Sequence, residues 1–312
     1  MRKKICFTSF VSSLPTVLLA TILSMSTLGP KCAEASWLLD LRALAERNDN
    51  INNTKAAAGM KTGTAYIAGA SLGYFEQIAT YTGASIDVDL ENATVSEYDG
   101  LSRMSGGLSL NLGHKFGVGP QSLRMDMRAS YRIEDFKDNH RDINSLTAGL
   151  TGSLWATERL NMLIGYEYDR NSPRETFEAY CGSDGKTTDC SPGSYSNPYD
   201  TSGNTVLARL SFLLTEADNL IFEYRFRRGE VAVDFVPGAS LRNSRTSIWY
   251  DHVFSNYATA RYQADTQSFN IGLSREIYRQ FSLNLDYLRV NTNSSWANYE
   301  NNIFRFGAAY AF

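Results

Sequence analysis

No excess of one charge sign runs through this sequence. Its 30 basic and 33 acidic residues leave a net charge of −3. There is no strong field to attract nucleic acid or an anionic membrane surface. Mean hydropathy is −0.29, which excludes a bundle of membrane helices. Beyond the first 35 residues no segment approaches the ~18 consecutive apolar residues a spanning helix needs. Histidine is nearly absent, with only His114, His140 and His252. No HExxH motif, phosphate-cradling glycine loop or CxxC pair occurs. Metalloprotease, nucleotide-binding and redox readings therefore have no anchor, and no cofactor is implied.

Cysteine is sparse as well, with 4 residues, two of them at the N-terminal end. Arg2, Lys3 and Lys4 precede an apolar stretch from about Cys6 to Leu28, and Ala33-Glu34-Ala35 offers a small-x-small cleavage pattern. Residues 1–35 read as a signal peptide and 36–312 as the mature protein. Lys31 stands before Cys32 where a lipoprotein signal has a small residue. Cys181 and Cys190 enclose a polar, turn-rich stretch, and in an oxidising compartment such a pair is expected to form a disulfide.

Aromatics, by contrast, reach 12%, with 18 Tyr and 16 Phe, and 23 Gly accompany only 7 Pro. That composition favours strands, because rings pack well on a pleated surface. Alternation is the dominant pattern. Leu123, Met125, Met127, Ala129 and Tyr131 take one parity against Arg124, Asp126, Arg128, Ser130 and Arg132. In a strand the two parities face opposite ways. Ile86, Val88 and Leu90 oppose Asp87, Asp89 and Glu91 in the same manner, as Leu220, Phe222, Tyr224 and Phe226 oppose Glu223, Arg225 and Arg227.

Twelve strands are predicted: 37–47, 61–74, 83–92, 102–115, 122–134, 144–156, 160–170, 204–214, 219–229, 263–276, 281–291 and 302–312. Turn placement within 61–92 is ambiguous because of Gly69, Gly73 and Gly83. Thr157–Arg170 aligns without gaps to Thr215–Arg228, and Leu283, Leu285 and Tyr287 repeat the spacing, which predicts three equivalent turns. Brief turns alternate with long polar connections at 171–202 and 230–260, characteristic of outer-membrane barrels. The expected fold is all-β: a closed antiparallel transmembrane barrel of about 12 strands with both termini periplasmic.

The last residues are the most specific signal. Phe304, Phe306, Ala308, Tyr310 and Phe312 share one parity, and Phe312 ends the chain. This resembles the closing strand of bacterial outer-membrane β-barrels, whose terminal aromatic is read by the insertion machinery. In length and rhythm the chain is most similar to autotransporter barrel domains, but no passenger domain precedes the barrel. The resemblance implies the outer membrane of a Gram-negative-type bacterium. It also implies outer-membrane lipid, lipopolysaccharide and the insertion machinery as partners.

The other parity supplies the candidate interior. Its acids include Asp40, Asp87, Asp89, Asp126, Glu167, Asp169, Glu223 and Asp286; its bases include Arg42, Lys115, Arg124, Arg128, Arg209, Arg225, Arg227 and Arg305. Small residues such as Ser105, Gly107, Ser109, Gly149 and Gly272 lie between them. One reading is a hydrated lumen with opposing charge clusters that passes small polar solutes, as porins do. The other is a salt-bridged interior that conducts nothing. A surface-binding barrel would use the Tyr-rich outer loops (Tyr180, Tyr195, Tyr199, Tyr250, Tyr257). A hydrolase is the third class. Outer-membrane phospholipase looks similar in size but needs Ser two residues after a His, where this chain has Phe116, Asp142 and Phe254. Omptin-type proteases place acids and a His–Asp pair on the outer rim, and Asp251-His252 and His140-Arg141-Asp142 fall in predicted outer loops.

If the terminal aromatic is read during insertion, deleting Phe312 or changing it to Asp reduces the folded barrel recovered from outer membranes. Heat-modifiable gel migration measures that amount, and an unchanged amount contradicts the reading.

Overall fold

The computed structural model describes residues 35–55, 59–174, 197–236, 249–255, 257–294 and 298–312. Residues 1–34 of the expected leader, the Cys181–Cys190 pair, Tyr180 and Tyr195 lie outside them. The strands are β1 Ala35–Asn48, β2 Gly63–Ala79, β3 Thr82–Val95, β4 Arg103–Lys115, β5 Arg124–Phe136 and β6 Ile143–Trp155. They continue as β7 Leu160–Pro173, β8 Thr201–Leu213, β9 Asp218–Phe235, the two-residue β10 Trp249–Tyr250, β11 Ala258–Tyr278, β12 Phe281–Ser294 and β13 Tyr299–Ala311.

Every long strand pairs antiparallel with its neighbours, β1 pairs with β13, and β9 with β11 closes the ring. Setting β10 aside as an appendage of β11, the barrel has twelve strands, as the alternation predicts. Closure leaves no unpaired edge, the requirement for a sheet in hydrocarbon. The outward parity is apolar: Ile164, Leu90 and Phe306 are 65%, 55% and 58% exposed. Such exposure suits contact with lipid. On β13 this face runs from Phe304 to Phe312, the ~9 residues that a tilted strand needs to cross a bilayer. Aromatic pairs stand toward both ends of the band. Trp37–Tyr74 centroids are 5.2 Å apart and Tyr310–Phe312 4.6 Å at the terminal end; Tyr287–Phe304 and Tyr224–Phe269, each 4.9 Å, lie further along.

The hairpin repeat is real at two of its three turns. Thr157 Oγ1 accepts from the amides of Arg159 (3.2 Å) and Leu160 (3.0 Å), and Thr215 Oγ1 does the same for Ala217 (3.2 Å) and Asp218 (3.0 Å). The third turn differs. Arg279-Gln280 is a two-residue turn with a register shift between Glu276 and Tyr278. It matches instead the ambiguous turn of the sequence reading, Thr80-Tyr81, which follows a shift between Gln77 and Ala79. The bulge supplies the extra twist that a two-residue connection needs. The expected 230–260 loop is also shorter: β9 runs on to Phe235 and β11 starts at Ala258, pairing in unbroken register. These polar extensions pass beyond the apolar band, so periodicity tuned to that band stops too early.

A charge on the outward face is costly. Ile164→Arg is expected to lower folding stability in vesicles by ~2–4 kcal/mol, the value for arginine near the bilayer midplane. Leu163→Arg, next in sequence but lining the interior, should cost much less; denaturant titrations of both variants check this.

Candidate functional site

The inward parity carries ion pairs laid along the wall. Arg132 Nη2 donates to Asp89 Oδ2 at 2.6 Å, and Arg103 Nε lies 3.2 Å from Glu134 Oε2. Glu91 receives both Arg42 and Arg103, linking β1, β3 and β4. On another arc, Arg225 reaches Glu167 at 3.0 Å and Glu223 at 2.6 Å, while Arg209 Nε donates to Glu223 at 2.6 Å. Arg227 meets Asp169 through two bonds of 3.0 and 2.7 Å, and Arg305 Nε donates to Glu46 at 2.6 Å. The opposing clusters of the sequence reading are thus not segregated, because the arginines of β9 reach across β8 to the acids of β7. Arg124 pairs with Asp126 on its own strand at 2.7 Å. Asp87 takes neutral donors, Ser85 at 3.0 Å and Asn111 at 2.8 Å. Arg128 donates to Ser109 at 3.2 Å and meets no carboxylate among the described residues. Asp286 and Arg305 are cross-strand neighbours, yet Arg305 turns to Glu46.

Glycine explains why the acids stay on the wall. Seven inward acids stand directly across from a glycine: Gly69–Glu91, Gly73–Asp87, Gly107–Asp89, Gly113–Asp126, Gly149–Glu167, Gly203–Asp169 and Gly272–Asp286. At Gly73, Gly107, Gly113 and Gly272 a Cβ would lie only 2.3–2.5 Å from the aspartate Oδ1. The carboxylate fills the space a side chain would take. A cavity of about 470 Å³ remains inside, lined in part by Arg124, Asp126, Arg128, Glu167, Arg209 and Arg225. Glu46, Glu91, Arg103, Arg132 and Glu134 were missed as interior pair members. Glu91 and Arg132 share the parity of residues that were identified, so the signal was present.

The rim opposite the short turns is packed. Asn50, Asn52 and Thr54 are buried in the β1–β2 connection. Asn50 Nδ2 donates to the carbonyls of Thr54 and Glu300, each at 3.0 Å, and Asn52 Nδ2 to that of Gly59 at 3.1 Å. The stretch between β10 and β11 is covered from several sides. Tyr257 Oη donates to the Gly59 carbonyl at 2.8 Å, and the Phe254 ring meets Tyr98 at 4.8 Å. Arg141 pairs with Asp251 and lies 5.7 Å from the Phe254 ring. Tyr98 and Arg141 sit in connections four or five strands around the ring from β11. This stretch therefore narrows the mouth.

At its base Asp251, Asp234 and Thr259 are buried together, with Thr259 Oγ1 donating to Asp234 Oδ1 at 2.6 Å and lying 3.2 Å from Asp251 Oδ2. Asp234 lies five residues beyond the last β8–β9 pair, Gly203–Gly229, outside the membrane-spanning stretch. Burial and then the Asp251 charge push its carboxyl up to about 7, with Arg141 and the Thr259 hydroxyl opposing. Burial also raises the phenols of Tyr199 and Tyr299 nearby.

The rim histidines are brought together, but not with the acid expected. Asp142 bonds the Phe136 amide at 2.7 Å and Arg174 at 2.8 Å. His140 instead meets Asp138 at 3.0 Å and His252 at 3.2 Å. His114 lies at the short-turn rim, 2.8 Å from Thr82 Oγ1.

No protein-family model matches the sequence, and no curated protein matches it. Among solved structures the chain is similar to a KdgM porin in complex with disordered oligogalacturonate (12% identity, 88% of this chain and 99% of that one, TM-score 0.43). It is also similar to the translocator domain of autotransporter NalP from Neisseria meningitidis (14% identity, 95% and 94%, TM-score 0.39). A third is the outer membrane channel DcaP of Acinetobacter baumannii (9% identity, 90% and 97%, TM-score 0.42).

Asp234 links mouth packing to pH. Its folded value exceeds the ordinary ~3.9 of a carboxyl released to water. The packed mouth thus holds a proton that the released one gives up, and its stability is greatest below pH ~4 and falls as pH rises through about 7. Hydrogen-exchange protection around Phe254 should drop by at least about tenfold between pH 5 and pH 8. Asp234→Asn should flatten the profile. A dependence that persists unchanged in that variant contradicts the assignment to Asp234.

Proposed function

We propose that this protein is an outer-membrane channel for passive passage of small polar solutes, narrowed at one mouth by its own loops. The observation that carries the reading is the set of acids laid over glycines, which keeps charge on the wall, together with a cavity of about 470 Å³ inside. An interior built only to be filled would gain nothing from glycines at these positions, since larger residues would pack it better.

The apolar band supports contact with outer-membrane lipid and lipopolysaccharide. The terminal parity supports delivery by the insertion machinery after export through the 1–35 leader. On this reading the short-turn rim, with both ends of the barrel, is periplasmic, and the packed rim faces outward. A second reading, a non-conducting surface barrel, is favoured by the burial of Phe254 and Tyr257 in the mouth.

Conductance in planar bilayers separates the two. The purified protein should give small unitary currents. Arg141→Ala, which releases Asp251, should raise them several-fold. Arg128→Glu should move the reversal potential toward cations without loss of folding, since Arg128 holds no carboxylate. That shift should fade at 1 M salt, where screening shortens to ~3 Å. A folded Arg141→Ala protein with no current overturns the channel and leaves the surface barrel.

A further inference from the structure

We propose that Asp138, His140 and His252 form a binding site for a divalent transition-metal ion of the zinc class at the outer side of the mouth. The Nδ1 atoms of His140 and His252 are 3.2 Å apart. Asp138 Oδ1 lies 3.0 Å from the first and 3.7 Å from the second. An ion with tetrahedral bonds of about 2.0–2.2 Å needs donors about 3.3–3.6 Å apart, and the three separations bracket that value.

The fold builds this triangle. His140-Arg141 lies against Asp251-His252, and the buried Arg141–Asp251 pair clamps the two segments together. The histidines flanking that pair are thereby brought face to face, with ring centroids 4.5 Å apart. Asp138 stands at the N-cap of the single turn of 3-10 helix, Asn139–Arg141, that carries His140. Its second oxygen lies 3.6 Å from Arg141 Nε, an ion-pair contact longer than a hydrogen bond, so the guanidinium that clamps the loops also favours the charged carboxylate there.

The site has access and room for further ligands. A cleft of about 510 Å³ opens beside it, lined by Glu97, Asp99, Lys137, Asp138 and His252 among others. Solvent water can complete the coordination from there. Two imidazole nitrogens and one carboxylate suit zinc, nickel or copper, whereas calcium and magnesium require oxygen ligands. The bound ion would join the β5–β6 connection to the β10–β11 connection across the mouth. This inference depends on the loop packing and not on whether the barrel conducts.

The test is calorimetry on the full barrel in detergent, stripped with chelator and titrated with zinc chloride alone. Saturable binding of one ion per chain is expected, with none from calcium at the same concentration. His140→Ala and His252→Ala should each weaken binding at least about tenfold. Asp138→Asn should weaken it with less change to the loop, while His114→Ala at the other rim should leave it unchanged. Heat-modifiable migration confirms folding of each variant. Absence of zinc binding by the wild-type barrel, or equal affinity in the double histidine variant, overturns the proposal; the trio would then be hydrogen-bonded only.

Discussion

Hydrocarbon offers no partner to a backbone amide or carbonyl, and the rest of this structure follows from that constraint. A sheet crossing a membrane must close so that β1 meets β13 and β9 meets β11. Once closed, each strand has lipid on one side and the interior on the other, and the two-residue period becomes a solvent code. The outward positions must be apolar whether or not they touch other side chains. Apolar exposure that would be a liability on a soluble protein is here the membrane contact.

Legibility follows the same division. The twelve strands could be read because lipid and interior impose opposite chemistry on alternate residues, as in Met127 against Arg128. Ends were less legible where no lipid stands to impose it. β9 and β11 continue past the apolar band as Val231, Val233 and Tyr262, which pack with Tyr299. Turn chemistry was legible only where a side chain announces it. Thr157 and Thr215 cap their turns directly, while the bulges at Gln77 and Glu276 depend on strand register.

The interior shows a finer limit. Each charged residue could be assigned to a face, but its partner could not, because partners are set by the stagger of strands. Arg225 bonds Glu167 two strands away as well as Glu223 two residues away. The glycines were visible as small inward residues, and their meaning was not. Only the register shows Gly107 across from Asp89 and Gly272 across from Asp286. Pairs of this kind are partly wetted and add little stability individually. Their arrangement matters more, since the carboxylates across from glycines lie along the wall, where Asp89, Glu91, Asp126, Glu167 and Asp169 meet arginines.

The mouth is held by different forces, and this difference gives it separate behaviour. Its cohesion comes from a few buried polar contacts, with Asn50, Asp234, Asp251 and Arg141 at their centre, and from the buried rings of Phe254 and Tyr257. Asp234 belongs to the β9–β11 ladder, opposite Thr259, whereas Asn50, Arg141 and Asp251 lie in connections outside the strands. A change that removes the whole mouth packing would leave every strand pair from β1 to β9 intact. Burial sharpens the contrast: Arg141 against Asp251 is strong only while both are shielded, and the loss of either leaves the other charge stranded in a dry site. A small perturbation at the mouth, in charge or in ligand, is therefore expected to loosen it while the closed wall stays paired.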